Sequence, residues 1–196
     1  MNKQALIIFV KKPEIGKVKT RLAASIGDIK ALEVYQKLLK RTFVVTQPLA
    51  LDKFVYYTPE IVHDDIWNDD LYFKALQTEG ELGNRMQTAF EERYKAGYQR
   101  VCIIGSDCYQ LSSQLLEQAY HKLEEHDVVI GPSTDGGYYL LGMKKLIPEF
   151  FANKPWSTDK VLEMTVADAK QQHLSCFLLP ELTDVDREED LKTMNL

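Results

Sequence analysis

The hydrophobic pattern opens on Ala5 to Val10, six apolar residues with no polar alternation. A run that short, in part β-branched, predicts a strand buried on both faces of a parallel sheet. Apolar positions Ile29, Leu32, Tyr35, Leu38 and Leu39 then fall at helical spacing, with Asp28 as the expected N-cap. Lys53 to Tyr57 reads as a second strand, ended by Thr58-Pro59. Residues 60–71 are acidic and irregular, with a short helix expected around Ile61 to Trp67, and Tyr72 to Gln77 makes a third strand. Asn84 to Ala96 is an amphipathic helix with Met86, Ala89, Phe90 and Tyr94 on one face and Gly97 closing it. Arg100 to Gly105, Asp127 to Gly131, Tyr138 to Met143 and Leu174 to Leu179 read as strands. Between them, Ser112 caps a helix to Glu125, Ser157 or Thr158 caps one to Gln172, and Asp184 to Asp190 opens a last short one. The alternation predicts an α/β fold: a three-layer α/β/α domain over residues 1–196 with a mostly parallel central sheet. Ala5–Val10, Arg100–Ile104 and Asp127–Ile130 are its expected neighbouring central strands.

Composition narrows the function classes. The chain has 196 residues, is 45% hydrophobic and carries a formal charge of −5, which argues against a generic nucleic-acid partner. Its three cysteines are odd in number and lack metal-site spacing, so a reducing cytoplasm is expected. The first apolar run is too short for a signal peptide or a membrane span. The four histidines lie dispersed in polar surroundings and read as surface residues.

Charge is uneven along the chain. Residues 11–21 hold five bases (Lys11, Lys12, Lys17, Lys19, Arg21) against Glu14, a net +4. Residues 181–190 hold six acids against Arg187, a net −5. Ligands of open α/β sheets bind at the carboxyl ends of the strands, and a basic loop with Gly16 leaving such a strand suits phosphates. It is neither a Walker loop, since Val18 follows Gly16-Lys17, nor a three-glycine dinucleotide fingerprint. Asp107, just past a buried strand, can hold Mg²⁺ or Mn²⁺. Asp184 and Asp186 alternate, and an extended backbone is expected to aim only one of them at the site. Gly131 to Gly137 has three glycines in seven residues, which lets backbone approach a ligand and sets Asp135 to accept from sugar hydroxyls, or else makes a tight hairpin turn. Gln77 offers an amide to a base edge.

Six ordered stretches together resemble a bacterial family of glycosyltransferase-like proteins, described as nucleotide-diphospho-sugar transferases of glycosyltransferase A-type fold. They are Val10-Lys11-Lys12-Pro13 with Gly16 to Leu22; Gln77 to Met86; Gly105 to Cys108; Gly131-Pro132 with Asp135 to Gly142; Pro155 to Thr158; and Asp184 to Leu191. That family is similar in turn to small guanylyltransferases. The resemblance implies that Val10, Lys11, Lys12 and Gly16 wrap the nucleotide, Lys19 and Arg21 contact its phosphates, and Gln77, Gly80 and Gly83 lie near the base. It implies a divalent metal, Mg²⁺ or Mn²⁺, held by Asp107 and Asp186. It further implies that Asp135, Gly136, Gly137 and Tyr138, with Trp156 and Ser157, face the transferred group. Two departures stand out: Tyr109 replaces the family's usual proline, and Arg187-Glu188 replaces Thr-Pro.

The expected activity is metal-dependent glycosyl transfer from a nucleotide-activated small-molecule donor to an unknown acceptor. Nucleotidyl transfer from a nucleoside triphosphate is the alternative, and a non-catalytic nucleotide-binding module the second. The single Gly16 favours the sugar donor. Lys19 and Arg21 are expected to be exposed loop charges, and Asp107 and Asp186 to converge on one ion, or on water or another cation when it is absent.

Overall fold

The computed structural model describes residues 3–194. Seven strands form one sheet in the order β3-β2-β1-β4-β6-β5-β7. These are β1 (Gln4–Lys11), β2 (Asp52–Thr58), β3 (Tyr72–Leu76), β4 (Arg100–Ile104), β5 (Val128–Pro132), β6 (Tyr138–Met143) and β7 (Cys176–Leu178). All neighbours pair in parallel except β6, which runs antiparallel to both β4 and β5. Every residue of β4 and β5 is buried, as the continuous apolar runs predict.

Alternation along β1 splits the core into two layers. Leu6, Ile8 and Val10 pack with Tyr35 and Leu39 of α2 (Asp28–Thr46) and Leu116, Ala119 and Leu123 of α4 (Ser113–Glu125). Ala5 and Ile7 face Met86, Ala89 and Phe90 of α3 (Leu82–Lys95) and Ala169 of α5 (Val161–Gln171). The result is the three-layer α/β/α fold. Ser112 caps α4 as its sequence predicts, its hydroxyl accepting from Leu115 N at 3.2 Å.

Several expectations are corrected. β5 is not beside β4, because β6 lies between them. The chain leaves β5 through a tight turn at Asp135-Gly136, and so short a connection joins only antiparallel strands. A seven-residue helix, α1 (Thr20–Ile26), follows the basic loop where no helix was expected. Gly27 takes the N-cap of α2 at φ 84°, and Asp28 is the first helical residue. No helix forms over residues 61–67, although Trp67 is fully buried there. Lys160, not Ser157 or Thr158, precedes α5. The closing helical element is a 3₁₀ segment, Glu188–Met194. Among the described residues, no helix is long and apolar enough to cross a membrane.

Candidate active site

The basic loop and the acidic end meet at the carboxyl edge of β4. Beyond β5 the chain 180–186 follows the sheet edge: Leu182 N donates to Pro132 O at 3.0 Å and Thr134 N to Leu182 O at 2.9 Å. Val185 N then donates to Asp107 O at 2.9 Å, and the Val185 side chain is buried with Leu22, Val34 and Leu38. Asp186 N and Arg187 N both donate to Asp190 Oδ2, at 3.0 and 2.7 Å. These bonds fix Asp186 beside Asp107.

Lys19 lies between the two carboxylates. Its ammonium is 2.6 Å from Asp107 Oδ1 and 2.9 Å from Asp186 Oδ1. The expected exposed loop charge is a buried one: the Lys19 side chain is 5% exposed, against 42% and 38% for the two aspartates. Burial alone lowers an ammonium pKa, but the Asp107 and Asp186 charges outweigh it and raise that of Lys19 well above its ordinary value. Lys19 also takes left-handed backbone, φ 47° and ψ 45°, immediately before α1. A non-glycine residue held there costs about 1–3 kcal/mol of strain that its surroundings must offset. Arg21 reaches Asp186 Oδ2 only at 3.5 Å and keeps its guanidinium largely in solvent.

Asp184 joins the same cleft, so the expectation that only one of Asp184 and Asp186 faces the site is corrected. Positions i and i+2 of an extended segment share a face, and Val185 between them is the residue turned inward. Burial, and then the Asp107 charge, raise the Asp184 carboxyl to about 7, while Ser133 Oγ donates to it at 3.1 Å. Asp184 is the site residue that the sequence reading passed over. Asp135 accepts from Gly137 N at 2.9 Å and stays exposed. Gly136, at φ 83°, supports that turn: a Cβ there would stand 2.3 Å from Asp159 O.

The cleft has a volume of about 780 Å³. Its acidic wall carries Asp107, Asp135, Asp184 and Asp186, and its apolar wall Phe9, Leu82, Met86, Tyr138 and Trp156. Tyr138 buries its hydroxyl with no hydrogen-bond partner among the described residues. A Cβ on Gly83 would stand 2.5 Å from Trp156 Nε1, so this glycine makes room for the indole.

Arg21, Asp107, Asp135, Gly137, Tyr138, Trp156, Ser157 and Asp186 all line this cleft. The other expected site residues make contacts within the protein. Gln77 does not present its amide to a ligand: Nε2 donates to Tyr56 O at 2.9 Å and Val10 O at 3.2 Å, while Oε1 accepts from Arg85 at 2.8 Å. The Val10 side chain is in the core. Lys12 pairs with Glu60 at 2.5 Å and Glu14 at 3.2 Å. Lys11 is tied through its backbone to the Tyr35 hydroxyl. Gly16 and Gly80 turn the chain at φ 71° and 110°. At the first departure from the family pattern, Arg41 holds the turn behind Asp107 by donating to Tyr109 O at 3.0 Å and Leu111 O at 2.8 Å.

Residues 42–158 match a family described as "Uncharacterized protein conserved in bacteria (DUF2064)". The chain belongs to this family. A provisionally assigned nucleotide-diphospho-sugar transferase from Desulfovibrio desulfuricans G20 is 33% identical, with a TM-score of 0.90 over 99% of this chain and 87% of that one. Two similar structures at 11% identity show the shared fold. One is 4-diphosphocytidyl-2C-methyl-D-erythritol synthase from Anaerococcus prevotii (TM-score 0.64, 99% of this chain, 95% of that one). The other is Rv0371c of Mycobacterium tuberculosis in complex with manganese (TM-score 0.57, 99% and 98%). No curated protein matches the chain.

Proposed function

We propose that this protein transfers a glycosyl group from a nucleotide-diphospho-sugar donor to a small acceptor in the cleft at the end of β4. The observation that carries the reading is the convergence of Asp107 and Asp186 on one cation position beside Arg21. Likeness to the Desulfovibrio protein supports it.

The donor set suits Mg²⁺ or Mn²⁺, which favour carboxylate oxygens and are often held by one or two carboxylates, substrate phosphates and water. Among the described residues no group of three or more His, Cys, Asp or Glu is placed to hold a metal ion. Asp107 and Asp186 would hold it once Lys19 is displaced, and it would stabilise charge on the leaving diphosphate. Arg21 offers its guanidinium fork to the phosphates. Asp135 and the backbone of Gly136 and Gly137 orient the transferred group. The wall of Phe9, Leu82, Met86 and Trp156 takes the uncharged part of the ligands and keeps water from the reacting centre.

Nucleotidyl transfer is the second reading, favoured by the fold shared with the diphosphocytidyl-methylerythritol synthase. A thermal-shift screen of UDP-, GDP- and dTDP-sugars and of nucleoside triphosphates, with and without Mn²⁺, separates the readings. One class should stabilise the protein by about 2.7 kcal/mol at a hundredfold its dissociation constant, with Mn²⁺ present. Triphosphates alone doing so would favour nucleotidyl transfer, and silence from every nucleotide would overturn both readings.

A further inference from the structure

Asp107 and Asp186 are joined by an ammonium. Lys19 Nζ stands 2.6 and 2.9 Å from their nearer oxygens, so it already neutralises half of the pair's charge. Mg²⁺ on the same oxygens would sit about 2.0–2.1 Å from them. On those two oxygens it would lie against the ammonium, cation to cation, so the two compete for the pair.

The pair is also built to be exchanged. The buried partner is the lysine, on a four-carbon stem, while both carboxylates open onto the cleft. Val185 N donates to Asp107 O, and Asp186 N and Arg187 N donate to the Asp190 carboxylate; none of these positioning bonds needs Lys19. The carboxylates can therefore stay in place while the ammonium leaves.

We infer that Lys19 is a resident cation that excludes divalent metal from the nucleotide-free site, and that ion and donor enter together as the donor's phosphates take over the ammonium. The inference rests on the proposed transfer reaction only in naming what draws Lys19 away.

Mn²⁺ titration without nucleotide, followed by calorimetry and by the loss of the free-ion EPR signal, tests it. The wild type should bind Mn²⁺ weakly. Lys19→Met should bind about tenfold or more tightly, since a positive charge in contact with the site is gone. Lys19→Arg, which keeps the charge, should stay weak. Asp186→Asn added to Lys19→Met should abolish the gain, which places the ion on this pair. Equal affinity in wild type and Lys19→Met would overturn the inference. Should Lys19→Met fail to fold, the wild type decides alone: millimolar affinity supports the exclusion and micromolar affinity overturns it. Since no nucleotide is present, failure of this titration is distinct from failure of the ligand screen.

Discussion

Two lysines of this protein are buried to nearly the same extent, at 5% exposure for Lys19 and 3% for Lys154, yet their surroundings differ in kind. Lys154 donates to the backbone carbonyl of Glu149 at 2.8 Å and to that of Ala152 at 3.5 Å, and it pairs with Asp168 of α5. Those carbonyls are fixed by the chain that the lysine anchors. Trp156 N in turn donates to Lys154 O at 2.9 Å, so this anchor carries the indole to the cleft. Lys19 has two carboxylate partners, both open to the cleft, and strained backbone behind it. Burial alone thus does not tell an ammonium that anchors a loop from one held at the edge of a cleft. Backbone carbonyls among the partners mark the first, and two carboxylates open to a cleft mark the second.

The largest expected effect would break the comparison at its structural end. Lys154→Met leaves Asp168 and two carbonyls unpaired and should lower stability by about 3 kcal/mol in a urea titration. Mn²⁺ binding by the folded fraction should not change. A stability loss no greater than that of Lys19→Met would erase the distinction.

Gly83→Ala comes next, at about 2 kcal/mol, because its new methyl group collides with the Trp156 indole. It should weaken binding of the nucleotide donor found in the screen while leaving the Lys19 ion pairs intact. Unchanged affinity would remove Trp156 from the site.

Lys19→Met itself should cost about 1–2 kcal/mol by thermal melting, less than Lys154→Met, since its two carboxylates regain water. Added Mn²⁺ should restore the loss. A variant that melts like the wild type in the absence of metal would show that the triad adds nothing to the fold.

The smallest effect concerns a carboxylate that no ligand competes for. Asp127 accepts from Ser175 N at 3.0 Å and Ser175 Oγ at 2.6 Å, joining the starts of β5 and β7. The Ser175 side-chain and backbone bonds hold its carboxyl below the ordinary value. With the folded-state pKa depressed, the stabilisation is complete above the unfolded value, 3.8, and is lost as pH falls through the folded value. Asp127→Asn should therefore flatten the acid side of the stability curve slightly. An identical curve would make the two bonds energetically silent.

The fold was legible where the apolar pattern was strong. Ala5–Val10 and Arg100–Ile104 could only be buried strands, and Ser112 announced its helix by the capping rule. The direction of β6 was less so, because an apolar run does not encode strand polarity and Asp135-Gly136 fits a ligand loop as well as a hairpin. At the site, Asp107 was visible from its place after β4, and its meeting with Asp186 from the resemblance. The burial of Lys19 was not, because its partners lie across the fold and a basic loop looks solvated in sequence. Gln77 misled for the converse reason: nothing local reveals that its amide is spent on the backbone of β1 and β2. Asp184 could have been found from the i, i+2 rule.

The most direct test of the account follows the two ammonium groups themselves, by ¹⁵Nζ NMR of lysine-labelled wild-type protein. Mg²⁺ alone should leave the Lys19 signal in place. Mg²⁺ together with the nucleotide donor should move it, as the ammonium passes from carboxylates to phosphate, while the Lys154 signal stays fixed throughout. A Lys19 signal as unresponsive as that of Lys154 under saturating donor and Mg²⁺ would contradict the account.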